Sequence, residues 1–272
     1  MMKPAEITRR AKSNLAFAFM CVPQDRRPDL NVFYAFCRVV DDIADDTSRP
    51  PEEKRAALQN WMQAVEKDDH PKDSLEAQVV AMRKRHSIDP SLLQEIIRGC
   101  ESDLSPQRFE TWEDLQQYSY RVASTVGLIL IPLFGASREA GEYSISLGHC
   151  LQLTNIIRDV GEDLENDLRV YLPLADLERF QYSEHDLVER VYDERFLALM
   201  NFEAERAEVI FEETARLLPR GDRKALRAAE VMRKIYYSLL KQMKRDQFRV
   251  FDTRYRISSL RKFGILIRQC IS

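Results

Sequence analysis

Apolar residues recur three and four positions apart over most of this chain, while the strict alternation of a half-buried strand is scarce. Proline, glycine, serine and aspartate gather at 23–28, 48–51, 68–71, 87–90, 103–106, 136–140, 166–173 and 218–222, and these are the expected breaks. Between them the pattern predicts helices near 4–20, 28–45, 51–67, 74–86, 90–102, 111–134, 139–165, 183–191, 194–217 and 222–247. The expected fold class is all-α, a single-domain helical bundle over residues 1–272 with no internal repeat.

Two of these helices carry polar stripes that a packed core does not explain. In LQLTNIIRDVGED, Gln152, Asn155, Asp159 and Asp163 stand at offsets 0, 3, 7 and 11. At about 100° per residue they fall within roughly 80° of one another on one helix face. In FYAFCRVVDDIADD, Tyr34, Arg38, Asp41 and Asp45 share a face at offsets 0, 4, 7 and 11. Carboxylates this dense are costly to bury unpaired, so each stripe reads as one wall of a metal site. Cys37 and His149 sit on adjacent faces, leaving an all-oxygen donor set that favours Mg²⁺ over zinc or copper. Because Mg²⁺ usually completes its shell with waters and phosphate oxygens, the implied ligand is a diphosphate.

Composition narrows the classes. Of the residues, 44% are hydrophobic and 31% charged, and the apolar run from Val126 to Phe134 falls far short of the roughly 20 residues that cross a bilayer. Glu6 and the missing small-residue cleavage site argue against a secretory signal. Five scattered cysteines form no CxxC pair, so a reducing cytoplasm is the expected setting. A net charge of −3 gives no reason to expect a nucleic-acid partner. The stretch from Arg249 to Arg268 is locally basic and interleaved with Phe251, Tyr255 and Phe263; it suits closure over an anionic substrate or peripheral contact with a membrane surface. Oligomeric state is not legible.

YAFCRVVDDIAD, YSYRVASTVG and LQLTNIIRDVGEDLENDLRVYLP, in that order, resemble the first aspartate motif, the central tyrosine helix and the second aspartate motif of the squalene/phytoene synthase family. The resemblance covers nearly the whole chain and implies an isoprenoid-synthase bundle with a central cavity. It implies that Asp41, Asp45, Asp159 and Asp163, with Asn155, bind Mg²⁺ and through it two prenyl diphosphates, Gln152 supporting the second cluster. Arg38 and Arg158 would contact diphosphate oxygens, whose geometry suits guanidinium groups. Ser13, Arg169 and Tyr236 would complete the anion pocket, and Tyr118 would assist proton transfer with the departing diphosphate. The family's first serine is replaced by Ala11, and one extra residue separates Asp163 from Arg169.

The reaction so implied is head-to-head coupling of two prenyl diphosphates. The surroundings of YSYRVASTVG and RVYLP resemble bacterial hopanoid-pathway members, which favours two farnesyl diphosphates giving presqualene diphosphate, with onward conversion to squalene or hydroxysqualene open. Phytoene synthesis from two geranylgeranyl diphosphates is the close alternative. A terpene cyclase and a scaffold without catalysis are the remaining ones; the four retained aspartates argue against the scaffold. No Gly-rich βαβ fingerprint is present, which leaves NADPH use undecided.

Overall fold

The computed structural model describes residues 4–6, 14–165 and 168–271. Its elements are α1 (Asn14–Ala18), α2 (Arg27–Asp45), α3 (Pro51–Ala64), α4 (Leu75–Arg85), α5 (Pro90–Ser102), α6 (Trp112–Ser119), α7 (Thr125–Phe134), α8 (Gly141–Glu165), α9 (Leu174–Arg179), α10 (Glu184–Val188), α11 (Glu194–Leu217), α12 (Arg227–Arg245) and α13 (Ser259–Ile271). No strand occurs among the described residues. The all-α expectation holds.

Local chemistry sets many of the boundaries. Pro28 stands in the first turn of α2, where a missing N–H costs nothing, and prolines open α3 and α5 in the same way. Thr111 and Asp114 form a reciprocal capping box at α6, as Ser183 and Asp186 do at α10. Gly135 ends α7 in the left-handed region at φ 80°, which glycine adopts without strain.

The differences from the predicted elements have physical reasons. The helix expected over 111–134 is interrupted by a π-helical turn, Tyr120–Ser124, between α6 and α7. Such turns insert an extra residue per turn and shift the register of the side chains that follow. After the break expected over 166–173 the chain forms α9, a helix too short to give a periodic signal. The C-terminal stretch forms α13, a helix absent from the predicted set. Residues 7–13, within the first expected helix, lie outside the described residues, and Ser13 with them.

The long helix α8 is the axis of the bundle. It packs against α11 along its length and against α7, the π-turn and α12, while α2 packs on α3, α4 and α5. Leu153, Ile156, Ile157 and Val160 bury one side of α8, which leaves the stripe with Asp159 and Asp163 turned toward an interior cleft. Gly148 permits the tightest of these contacts, because a Cβ there would lie 2.5 Å from the Ser124 backbone.

Candidate active site

The C-terminal ends of the α2 and α8 faces anticipated from sequence reach a cavity of about 1680 Å³. Asp45 from α2, Arg158, Asp159 and Asp163 from α8, Arg169 from the following loop and Tyr236 from α12 all line it. Phe17, Phe19, Leu239, Phe251 and Ile257 supply apolar wall. The cavity is larger than the roughly 300–1,000 Å³ of ordinary small-molecule pockets.

Arg169 is the charge that links the two acidic helices. Its guanidinium lies 3.8 Å from Asp45, and its backbone N–H donates to the Asp163 carbonyl at 3.0 Å. Burial, the neighbouring Asp45 and the weaker opposing pull of Arg38 set Asp41, whose carboxyl is pushed up to about 6. Burial and the adjacent Asp159 push Asp163 up to about 7. Both shifts reflect carboxylates crowded together and partly buried, although the Asp41 side chain is still half exposed. Arg158 forks onto Asp159, with its Nε donating at 2.6 Å and Nη2 at 2.5 Å, and Tyr236 lies against the same guanidinium.

Other anticipated residues sit elsewhere around this centre. Arg38 is half exposed and pairs along its own helix with Asp41 at 2.9 Å and Asp42 at 2.7 Å. Gln152 and Asn155 lie one to two turns before Asp159, and they, like Arg38, Asp41 and Tyr118, are not among the cavity-lining residues. The Asn155 Oδ1 is nonetheless buried without a hydrogen-bond partner, a costly state for an amide oxygen unless something binds it. Tyr34 packs edge-on against Phe19, and Phe33 and Phe36 are fully buried core.

Tyr118 is buried, and its hydroxyl donates to Asp103 Oδ2 at 3.0 Å. Tyr171 donates to the other carboxylate oxygen at 3.2 Å, and the two rings stack at 5.4 Å between centroids. Burial pushes Asp103 up to about 6 against the pull of these hydroxyls and of Arg169, and burial together with Asp103 drives the Tyr118 phenol well above its ordinary range. Tyr118 is therefore held neutral and oriented. In the sequence Asp103 marks only part of a helix break, and Tyr171 carries no assigned role inside RVYLP. The one available signal is the tyrosine within the RVYLP segment that carries the resemblance; the carboxylate that receives it lies 68 positions away.

The basic stretch after α12 folds over the second motif. Gly161 makes room for it: an added Cβ would collide with the Val250 carbonyl oxygen and sit 3.1 Å from Phe251 Cα. Arg254 forms an ion pair with Glu162, and Tyr255 fastens the strap by donating to Asp246 at 2.6 Å while accepting from the Arg249 N–H at 3.0 Å. Arg254, Arg256 and Lys262 thereby reach the cavity lining.

The arrangement can hold a polyanion between acidic and basic groups beside an apolar wall. The comparisons with known proteins agree. The squalene/phytoene synthase family profile matches residues 8–261. The chain belongs to that family. It is 33% identical to the 15-cis-phytoene synthase of a Synechocystis species over 94% of this chain and 81% of the relative. It is 28% identical to the 4,4'-diapophytoene synthase of Staphylococcus haemolyticus over 96% of this chain and 92% of the relative. Among solved structures, a dehydrosqualene synthase superposes with a TM-score of 0.82 at 26% identity, covering 98% of this chain and 93% of its own. Squalene synthase HpnC from Alicyclobacillus acidocaldarius superposes with a TM-score of 0.80 at 25% identity, covering 90% and 93%. The protein is thus a squalene/phytoene-synthase-type prenyltransferase with the isoprenoid synthase fold.

Proposed function

We propose that this enzyme couples two farnesyl diphosphates head to head to give presqualene diphosphate. The observation that carries this reading is the large cavity lined by Asp45, Asp159 and Asp163, with Arg169 between the two acidic helices. Its volume suits two long substrates together, and its mixed lining suits molecules with a charged head and an apolar chain.

The donor chemistry fits a hard divalent ion. Among the described residues no three acidic, histidine or cysteine side chains converge on one point, so an ion here would take few ligands from protein and the rest from diphosphate and water. Asp41, Asp45, Asn155, Asp159 and Asp163 would hold Mg²⁺, which when bound supplies the positive charge that makes diphosphate a leaving group. Arg158 and Arg169 add donors for diphosphate oxygens from the cavity wall. When the first carbon–oxygen bond breaks, diphosphate leaves with the electron pair and an allylic cation remains. The double bond of the second substrate attacks it, and loss of one proton closes the cyclopropane ring. Phe17, Phe19 and Phe251 keep water from the cation. Tyr118, held neutral against Asp103 one contact behind Arg169 of the cavity wall, is the proposed proton carrier toward the departing diphosphate.

Structural likeness to a dehydrosqualene synthase and to squalene synthase HpnC supports the shorter substrate. A second reading, two geranylgeranyl diphosphates giving phytoene, is supported by curated relatives named phytoene synthase at 30–33% identity. Mass spectrometry of products formed with Mg²⁺ and either diphosphate, with and without NADPH, tests both. A C30 diphosphate from farnesyl diphosphate is the expected product, and NADPH-dependent squalene would place the reductive step on the same chain. A C40 product from geranylgeranyl diphosphate alone would establish the second reading. Only C15 alcohols or cyclic hydrocarbons would overturn both.

A further inference from the structure

Helix α13 has two faces with different surroundings. Ile265 packs against the core, and Gln269 accepts a hydrogen bond from Lys234 of α12. On the opposite side Leu260, Phe263 and Ile267, at offsets 0, 3 and 7, are 87%, 53% and 40% exposed. Three large apolar side chains on one outward stripe are more than scattered surface hydrophobes require. The charge around them has one sign. Residues 253–272 hold Arg254, Arg256, Arg261, Lys262 and Arg268 and no aspartate or glutamate, in a chain whose net charge is −3. Arg261 and Arg268 follow Leu260 and Ile267 directly, so the exposed cations flank the apolar stripe on the same helix.

We propose that this face of α13 seats on an anionic lipid bilayer, with Leu260, Phe263 and Ile267 entering the interface and Arg261 and Arg268 meeting the headgroups. An apolar stripe bordered by arginines is the pattern of a helix that lies in the membrane surface without crossing it. Among the described residues no helix is long and apolar enough to span a bilayer. A second copy of the chain is a poorer occupant, because pairing two such faces would bring like charges together. The seat also orients the cavity. Ser259 and Lys262, on the same helix, are among the residues lining it, so a docked enzyme would hold that side of the cavity close to the bilayer. That consequence for release of an apolar product rests on the proposed coupling reaction; vesicle binding does not.

Flotation of the full-length protein with phosphatidylglycerol vesicles and with phosphatidylcholine vesicles, without substrate, is the test. Binding to the anionic vesicles, weakened at least tenfold in the L260S/F263S/I267S variant and roughly tenfold in R261Q/R268Q, is expected. All altered side chains are exposed, and circular dichroism checks that the helical content is unchanged. Added salt should weaken binding of the unaltered chain. No binding to anionic vesicles, equal binding to both, or binding indifferent to the serine variant overturns the proposal. Light scattering that finds a dimer abolished by the serine changes would assign the face to a second copy instead. Detergent-dispersed farnesyl diphosphate separates the two ideas. A chain that couples substrate and ignores vesicles loses only the docking proposal, whereas one that binds vesicles and couples nothing loses only the functional reading.

Discussion

Asp45 of the first aspartate motif and Arg169 just beyond the second stand 3.8 Å apart, joining two segments separated by more than a hundred residues. Arg169 also points its Nη2 toward the Asp103 carbonyl at 3.5 Å. One guanidinium, carried on the loop after α8, thereby meets the acidic helix α2 and the end of α5. Its replacement should disturb substrate binding more than folding, since a polar side chain of similar reach can still fill the space. Arg169→Gln is expected to lower kcat/KM for a prenyl diphosphate roughly ten- to hundredfold, the worth of a hydrogen bond to a charged group. Steady-state kinetics, with thermal melting as the control, checks this.

The carboxylate of Asp103 satisfies two buried phenols at once. Asp103→Ala leaves both hydroxyls without that acceptor and should cost about 1–3 kcal/mol or more in denaturant unfolding. Asp103→Asn keeps one acceptor oxygen and should recover part of the loss. If Tyr118 moves protons in the reaction, the asparagine variant will also shift the pH profile of turnover while KM changes little.

Gly161 tests the strap over α8. A Cβ at this position meets backbone, which cannot swing aside as a flexible side chain would. Gly161→Ala should force residues 250–251 away from the cavity, destabilise the protein by about 1–3 kcal/mol and raise KM. Melting curves and kinetics report the two effects separately.

Glu203 offers a pH test away from the active site. It is fully buried, accepts from Arg206 at 2.6 Å, and Arg206 also binds Asp176 at 2.9 Å. Burial, with Asp176 adding to it and Arg206 opposing it, pushes Glu203 up to about 8 from an ordinary 4.5. Between those values the folded protein binds the proton that the unfolded chain releases. Stability from this group is therefore full below pH 4.5 and is lost as pH rises through 8, by at most about 1.4 kcal/mol per unit. Glu203→Gln should flatten the decline in Tm measured from pH 6 to 9 and leave the acid side nearly unchanged.

The sequence by itself determined the all-α class and most of the helices, because a 3.6-residue apolar repeat and local caps act within a few residues of one another. It also placed Asp41, Asp45, Asp159 and Asp163 on two helix faces, since offsets of four and seven share a face wherever the helix is packed. Tertiary structure alone decided which groups complete those faces. Asp103, Tyr118 and Tyr171 meet across separations of 15 and 68 positions, and no local periodicity encodes that meeting. Gly161 in the second motif gains its meaning only when the strap near Val250 crosses it. Arg38, on the same stripe as Asp41, spends its charge on its own helix, while Arg169, outside any stripe, takes the position between the two walls. Helical spacing fixes direction around one axis. Which axes face each other, and at what distance, follows from how the apolar sides of α2, α8 and α12 fill a common core.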